Sequence, residues 1–183
     1  MKKLMIGLVA STALVAPAAS MAATMMFDVM AKDHALKPVD TALGTGIMLN
    51  SGDAFSVSAA LNDYWSLGSG LARSTNADGD SELSGAPEFG MYSSGGSSFY
   101  FGQLVGRIDN GAYFGLGTNF AGTAASSGEL FLLVWDSNDS DNSGSIEVTV
   151  NYPSAVPLPA SSLLLLGGLG ALGAVRRKAR KAA

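Results

Sequence analysis

The chain has 183 residues, no cysteine and a formal charge of −4, which excludes disulfides, thiolate metal sites and a cysteine nucleophile. All of its 15 Asp and Glu residues lie between Asp28 and Glu147, where only Lys32, Lys37, Arg73 and Arg107 are basic, so this body carries 4 − 15 = −11 between two basic ends. A body that acidic repels phosphate backbones, which argues against nucleic acid as a partner and in favour of bound cations.

Lys2 and Lys3 precede an apolar run from Leu4 to Val15 and then small residues through Ala22. This is the layout of a secretory signal, with cleavage by signal peptidase expected after Ala22 or Ala23. The run falls short of the roughly 20 residues that cross a bilayer. Residues 1–22 are therefore assigned to a signal peptide and the body to 23–152.

Short runs of alternating apolar and polar residues, separated by Gly, Asn, Asp and Ser clusters, predict an all-β sandwich. The expected strands are Met26–Ala31, Gly46–Leu49, Phe55–Ala60, Ser98–Phe101, Leu104–Ile108, Phe114–Leu116, Gly128–Trp135 and Ser145–Asn151. In the last of these Ile146, Val148 and Val150 share one face, so it should be half buried. Asn50-Ser51-Gly52-Asp53 reads as a turn between strands. Ser66 to Gly96 reads as one long irregular stretch, flexible at Ser93 to Ser97 and polar at Ser74 to Glu82; loops beyond about 12 to 15 residues are usually functional or disordered.

Two oxygen-rich loops stand out. Asp136-Ser137-Asn138-Asp139-Ser140-Asp141-Asn142-Ser143-Gly144 joins the last two strands. Ca²⁺ takes six to eight hard oxygen ligands, which short Asp and Asn side chains and loop carbonyls supply, although the same residues also make an ordinary solvated turn. Asn76-Ala77-Asp78-Gly79-Asp80-Ser81-Glu82 is not an EF-hand loop, because the twelfth position counted from Ser74 is Gly85 rather than Glu. It remains a candidate ligand-contacting loop. His34, the single histidine, leaves no His-based metal site or triad and reads as a surface residue.

At the C-terminus, Val156-Pro157-Leu158-Pro159-Ala160 leads into an apolar segment over 158–175 and a basic cluster over 176–181. This is the pattern of a single transmembrane helix whose basic end stays cytoplasmic. The tail, 153–183, resembles the PEP-CTERM class of bacterial sorting signals in its Val-Pro-Leu-Pro-Ala variant. The resemblance implies an exosortase-type sorting enzyme as partner, membrane anchoring by the helix before processing, and a cell-surface or extracellular destination.

The body carries a second resemblance. Val29-x-Ala31, Thr45-x-Ile47-x-Leu49-x-x-Gly52-Asp53-x-Phe55-x-Val57-x-Ala59, then Trp65, Leu104 to Ile108, Phe114-x-Leu116-Gly117, Trp135-Asp136 and Asp141-Asn142-Ser143-Gly144-Ser145 occur in order. Together they are similar to the calcium-dependent galactophilic lectins of the PA-I type. That resemblance implies a jelly-roll-like β-sandwich of galactose-binding-domain-like fold, with one Ca²⁺ joining protein to two sugar hydroxyls. The calcium ligands it implies are Asp136, Asp141 and Asn142, with a backbone carbonyl near Asn138 or Asp139 and another after Trp65. Trp65 or Tyr64 would stack on the sugar. The family's specificity His and Gln have no counterpart; Asn76, Asp78, Asp80 and Glu82 occupy that region as candidate ligand contacts. The expectation is a non-enzymatic surface protein binding polysaccharide or exopolysaccharide through Ca²⁺. The alternative is a structural matrix protein of the same fold without sugar binding.

Overall fold

The computed structural model describes residues 20–36, 40–68, 73–79, 90–155, 165, 167–173 and 177. The chain divides into two compact units, a body of Ala22–Ser154 and a second unit of Met1–Met21 with Ala155–Ala183.

The body is built on two four-stranded sheets. The first holds β1 (Ser20–Met30), β12 (Ser145–Ala155), β3 (Ala54–Ala59) and β10 (Asn119–Thr123) in that order; the second holds β2 (Leu43–Leu49), β11 (Gly128–Val134), β8 (Leu104–Ile108) and β9 (Phe114–Gly115). Alternation sets the faces: Val29, Phe55, Val57, Ile146, Val148 and Val150 meet Ile47, Leu49, Leu104, Leu130, Leu132 and Val134 in one core. The turn at Asn50 to Asp53 forms as expected, with Gly52 at φ 91° and the Asp53 amide donating to Asn50 O.

β11 reads as an unbroken apolar run because both of its faces are covered. Leu133 and the following Trp135 point away from the main core into a second cluster with Leu36 and Val105. That cluster is roofed by a hairpin of β6 (Met91–Ser94) and β7 (Ser97–Tyr100), which brings Tyr92 and Phe99 against Trp135. The hairpin corrects the expectation of flexibility at Ser93 to Ser97. Gly95 and Gly96, at φ 59° and 81°, form the two-residue turn that matches strand twist.

The stretch from Ser66 is likewise partly structured, through the pairing of β4 (Trp65–Ser66) with β5 (Ser74–Thr75). Residues 69–72 and 80–89 lie outside the described residues. β10 is an unpredicted edge strand; its sequence, Asn-Phe-Ala-Gly-Thr, offers only Phe120 to the core, where the ring meets Phe55 at 5.2 Å.

In the second unit, the described residues between 165 and 177 are helical. Among the described residues no helix is long and apolar enough to cross a membrane. The rest of the helix expected over 158–175, the motif 156–160 and most of the basic tail lie outside the described residues, as do residues 1–19 of the expected leader. Its last residues, Ser20 to Ala22, open β1.

Candidate functional site

The loop between β11 and β12 is fixed at both ends. At its start, the Trp135 amide donates to Gln103 O at 2.9 Å and its indole Nε1 donates to Tyr92 O at 2.7 Å, so Asp136 follows a rigid residue and is 5 % exposed. At its end, Ser143 and Ser66 exchange backbone hydrogen bonds of 2.8 and 2.9 Å, tying the loop to β4.

Within the loop, Asp136 Oδ1 accepts from the amides of Ser137 at 2.6 Å and Asn138 at 3.4 Å. Asn138 Nδ2 donates to Asp141 Oδ1 at 2.8 Å, and Asp139 contributes its carbonyl to the Asn142 amide at 3.1 Å. Asn142 is 4 % exposed and its Nδ2 donates to Ala31 O at 3.2 Å, while its Oδ1 is buried with no hydrogen-bond partner. A buried acceptor without a donor costs about 1 to 3 kcal/mol unless water, an ion or another ligand supplies the partner.

Burial pushes the Asp136 carboxyl above its ordinary range; hydrogen bonds from the Asn142 side chain and the Ser137 and Asn138 amides oppose the rise, and the Asp141 charge adds to it. A buried carboxylate in that state is relieved by a cation.

Asp136, Ser137, Asn138 and Asp141 open on a cavity of about 370 Å³ that is also lined by Leu67, Arg73 and Phe101. Gly102 beside it has a positive φ of 76°, and a side chain there would collide with Thr75 and Leu67, so glycine keeps this wall thin. Among the described residues no group of three or more His, Cys, Asp or Glu is placed to hold a metal. Asp136 and Asp141 offer carboxylate oxygens and Asn142 an amide oxygen, hard donors of the kind Ca²⁺ takes. The orphaned Asn142 oxygen beside a buried carboxylate fits that ion.

Three expected ligand contacts fall elsewhere. Trp65 is 1 % exposed and its Nε1 donates to Gly102 O at 2.9 Å, so the ring belongs to the core and cannot stack on a sugar. Tyr64, the other stacking candidate, is 39 % exposed. Asn76 is fully buried; its Oδ1 accepts from the Asp78 amide at 2.9 Å and its Nδ2 donates to Leu61 O at 3.3 Å. Both Asp78 carboxylate oxygens accept from Thr118, at 2.6 Å from the amide and 2.8 Å from the hydroxyl. Those two residues pin a loop. Asp80 and Glu82 lie outside the described residues.

Arg73, Phe101 and Leu67 on the cavity wall were not among the expected site residues. Arg73 had a signal, being one of four basic residues in an acidic body. Phe101 stacks on Tyr92 at 5.2 Å and 25°, leaving a part-exposed aromatic at the cavity where Trp65 had been expected. His34 is half buried rather than a plain surface residue, with Nδ1 accepting from the Met30 amide at 3.0 Å.

The body is a β-sandwich of two four-stranded sheets around one core. Residues 155–181 match the PEP-CTERM protein-sorting motif, so the chain carries that motif at its C-terminus, as expected, and the motif implies export and C-terminal sorting. Among solved structures the chain is similar to the EclA N-terminal domain, described as a PllA-like lectin, with 22 % identity and a TM-score of 0.51 over 70 % of this chain and 95 % of that one. At that identity the likeness shows the fold. No curated protein matches the chain.

Proposed function

We propose that the body is a calcium-dependent carbohydrate-binding module, delivered to the cell surface through its C-terminal tail after signal-peptide removal and exosortase processing. The observation that carries this reading is the buried, unpartnered Asn142 Oδ1, on a side chain that hydrogen-bonds the buried Asp136 carboxylate, with Asp136 lining a cavity. Asp136, Asp141 and Asn142 are the side chains proposed to hold Ca²⁺, with a carbonyl from the Asn138–Asp139 turn. Bound there, Ca²⁺ would supply coordination positions for two sugar hydroxyls in place of water. Phe101 and Leu67 offer the apolar wall on which a sugar face packs. Trp65, Asn76 and Asp78 have no part in the contact, since each is committed to the protein's own packing.

Melting of the purified chain in a calcium titration tests the cation. One site at tenfold excess over Kd stabilises by about 1.4 kcal/mol, and no rise up to millimolar calcium overturns the reading. A glycan array with and without chelator tests the sugar: chelator-sensitive binding is expected. Stabilisation by calcium with no glycan bound would instead favour a structural matrix protein in which the ion staples the loop.

A further inference from the structure

Taking the cavity as the saccharide site, as read above, we infer that a chain held by its C-terminal tail turns that cavity away from the surface holding it, toward polysaccharide on the solution side. The argument begins with strand direction. β1 and β12 are neighbours in one sheet. The Ala31 amide donates to Gly144 O at 3.0 Å at one end, and Thr24 Oγ1 donates to Asn151 Oδ1 at 2.6 Å toward the other, so the two strands run antiparallel. The start of β1 and the end of β12 therefore lie side by side.

Other loops sort to the same two poles. Asn50 to Asp53 leads into the Ala54 end of β3, the end nearer the close of β12. That turn holds residues 124–127 through Gly52 N to Ala124 O at 2.8 Å and Ser51 N to Ser127 Oγ at 2.9 Å. β11 begins there too, with Gly128 opposite Leu49, and ends at the other pole, where Asp136 follows. The far end of β3 leads to Leu61 and to Asp63, whose Oδ2 accepts from the Glu147 amide at 2.9 Å near the start of β12. The calcium loop, which closes at Gly144, thus stands at the pole opposite Ser154.

Two lengths decide the orientation. β12 has 11 residues from Ser145 to Ala155, about 35 Å of strand. The sorting motif 156–160 follows at once, and five residues span about 18 Å at most when fully extended. Turning the cavity onto the holding surface needs a tether about as long as the strand, and the motif supplies half of it. Laying the body on its side is opposed by charge, since Asp28 to Glu147 carries 4 − 15 = −11 and an anionic envelope repels it. The near pole adds no attraction: residues 50–53, 109–111 and 124–127 include Asp53 and Asp109 but neither Lys nor Arg. A saccharide fixed close to the holding surface lies behind the body, whereas one in the surrounding matrix meets the cavity.

The chain has no cysteine, so a single one can be placed at either pole. Leu61, 63 % exposed, marks the cavity pole and exposed Ser126 the other, and neither lines the cavity. The full chains Leu61→Cys and Ser126→Cys, each carrying one donor dye, are bound through the tail to anionic phospholipid vesicles with an acceptor dye on the outer headgroups. Energy transfer should place the Leu61 label about 20 Å farther from the headgroups than the Ser126 label, the length of β3 that separates them. Asn62→Cys, exposed next to Leu61, should repeat the result, and the difference should be the same in calcium and in chelator. Equal distances, a nearer Leu61 label, or a chain that the vesicles do not hold would each overturn this inference and leave the calcium reading standing. The expected distances in a chain whose melting ignores calcium would instead overturn the calcium reading, and with it the saccharide as partner.

Discussion

Two loops of this protein have nearly the same composition and opposite states of satisfaction. In the loop at Asn76 to Asp78, every described side-chain oxygen points inward to a donor: Asn76 Oδ1 to the Asp78 amide, and both Asp78 oxygens to Thr118. In the loop from Asp136 to Gly144, a buried amide oxygen has no donor and a buried carboxylate is pushed toward its protonated form. β4 lies between them, pairing Trp65 and Ser66 with Thr75 and Ser74 on one side and bridging to Ser143 on the other. Asx-rich sequence is thus a poor guide to a site; the accounting of donors separates a structural turn from a binding one.

The largest way to break the comparison is to remove what both loops hang on. Trp65→Ala should destabilise the body by about 3 to 5 kcal/mol, the usual cost of truncating a buried aromatic, measured by chemical denaturation. A loss below about 1 kcal/mol, accompanied by lost sugar binding, would return Trp65 to the surface. Next comes Asp78→Ala, which strands the Thr118 amide and hydroxyl and should cost about 2 to 3 kcal/mol. That cost should be the same with calcium and with chelator. A calcium-dependent cost would mean that the two loops are not of different kinds.

The fold was legible where a strand buries one face or both. β8 and β11 emerge from their apolar runs, and β12 from the alternation of Ile146, Val148 and Val150. β10 was hidden because an edge strand with one core residue has no period to detect. The β6–β7 hairpin was hidden because two adjacent glycines serve equally in a flexible linker and in a tight turn. At the site, the lectin resemblance singled out Asp136, Asp141 and Asn142; Asp136 and Asp141 line the cavity and Asn142 is buried in the same loop with its Nδ2 on Ala31 O, whereas loop composition picked out only the stretch that holds them. It could not separate them from Asn76 and Asp78, since which polar atoms find partners is decided by Thr118 and Ser137 as donors and Ala31 O as acceptor, across sequence separations of one to more than a hundred residues. Arg73 escaped because lying beside Asp141 depends on Gly68, not on any local motif.

Asp136→Asn sharpens the contrast through opposite signs in two buffers. The amide keeps the Oδ1 acceptor used by Ser137 and Asn138 but removes a charge that burial disfavours, so without calcium the variant should melt higher, by the equivalent of about 0.5 to 1 kcal/mol. With calcium at tenfold excess over the parent's Kd, the parent should gain about 1.4 kcal/mol and the variant nothing. A variant less stable than the parent in chelator would make Asp136 a plain structural acceptor, like Asp78.

The smallest effect concerns the turn that supports Asn142 from behind. His34 Nδ1 accepts from the Met30 amide, and Ala31 in the same turn receives the Asn142 side chain and donates its own amide to Gly144 O. Burial lowers the His34 pKa, with the neighbouring Asp33 pulling weakly the other way. A folded-state pKa below the unfolded value means that the unfolded chain binds the extra proton first, so this contribution is complete above about pH 6.5 and is lost as pH falls below it. The loss is read as a slope in melting temperature between pH 7 and 5 that His34→Gln flattens. Because protonation frees the Met30 amide beneath the Asp136 loop and leaves Asp78 untouched, acid should also weaken calcium affinity in the parent more than in His34→Gln. Equal weakening in both would uncouple the His34 turn from the site.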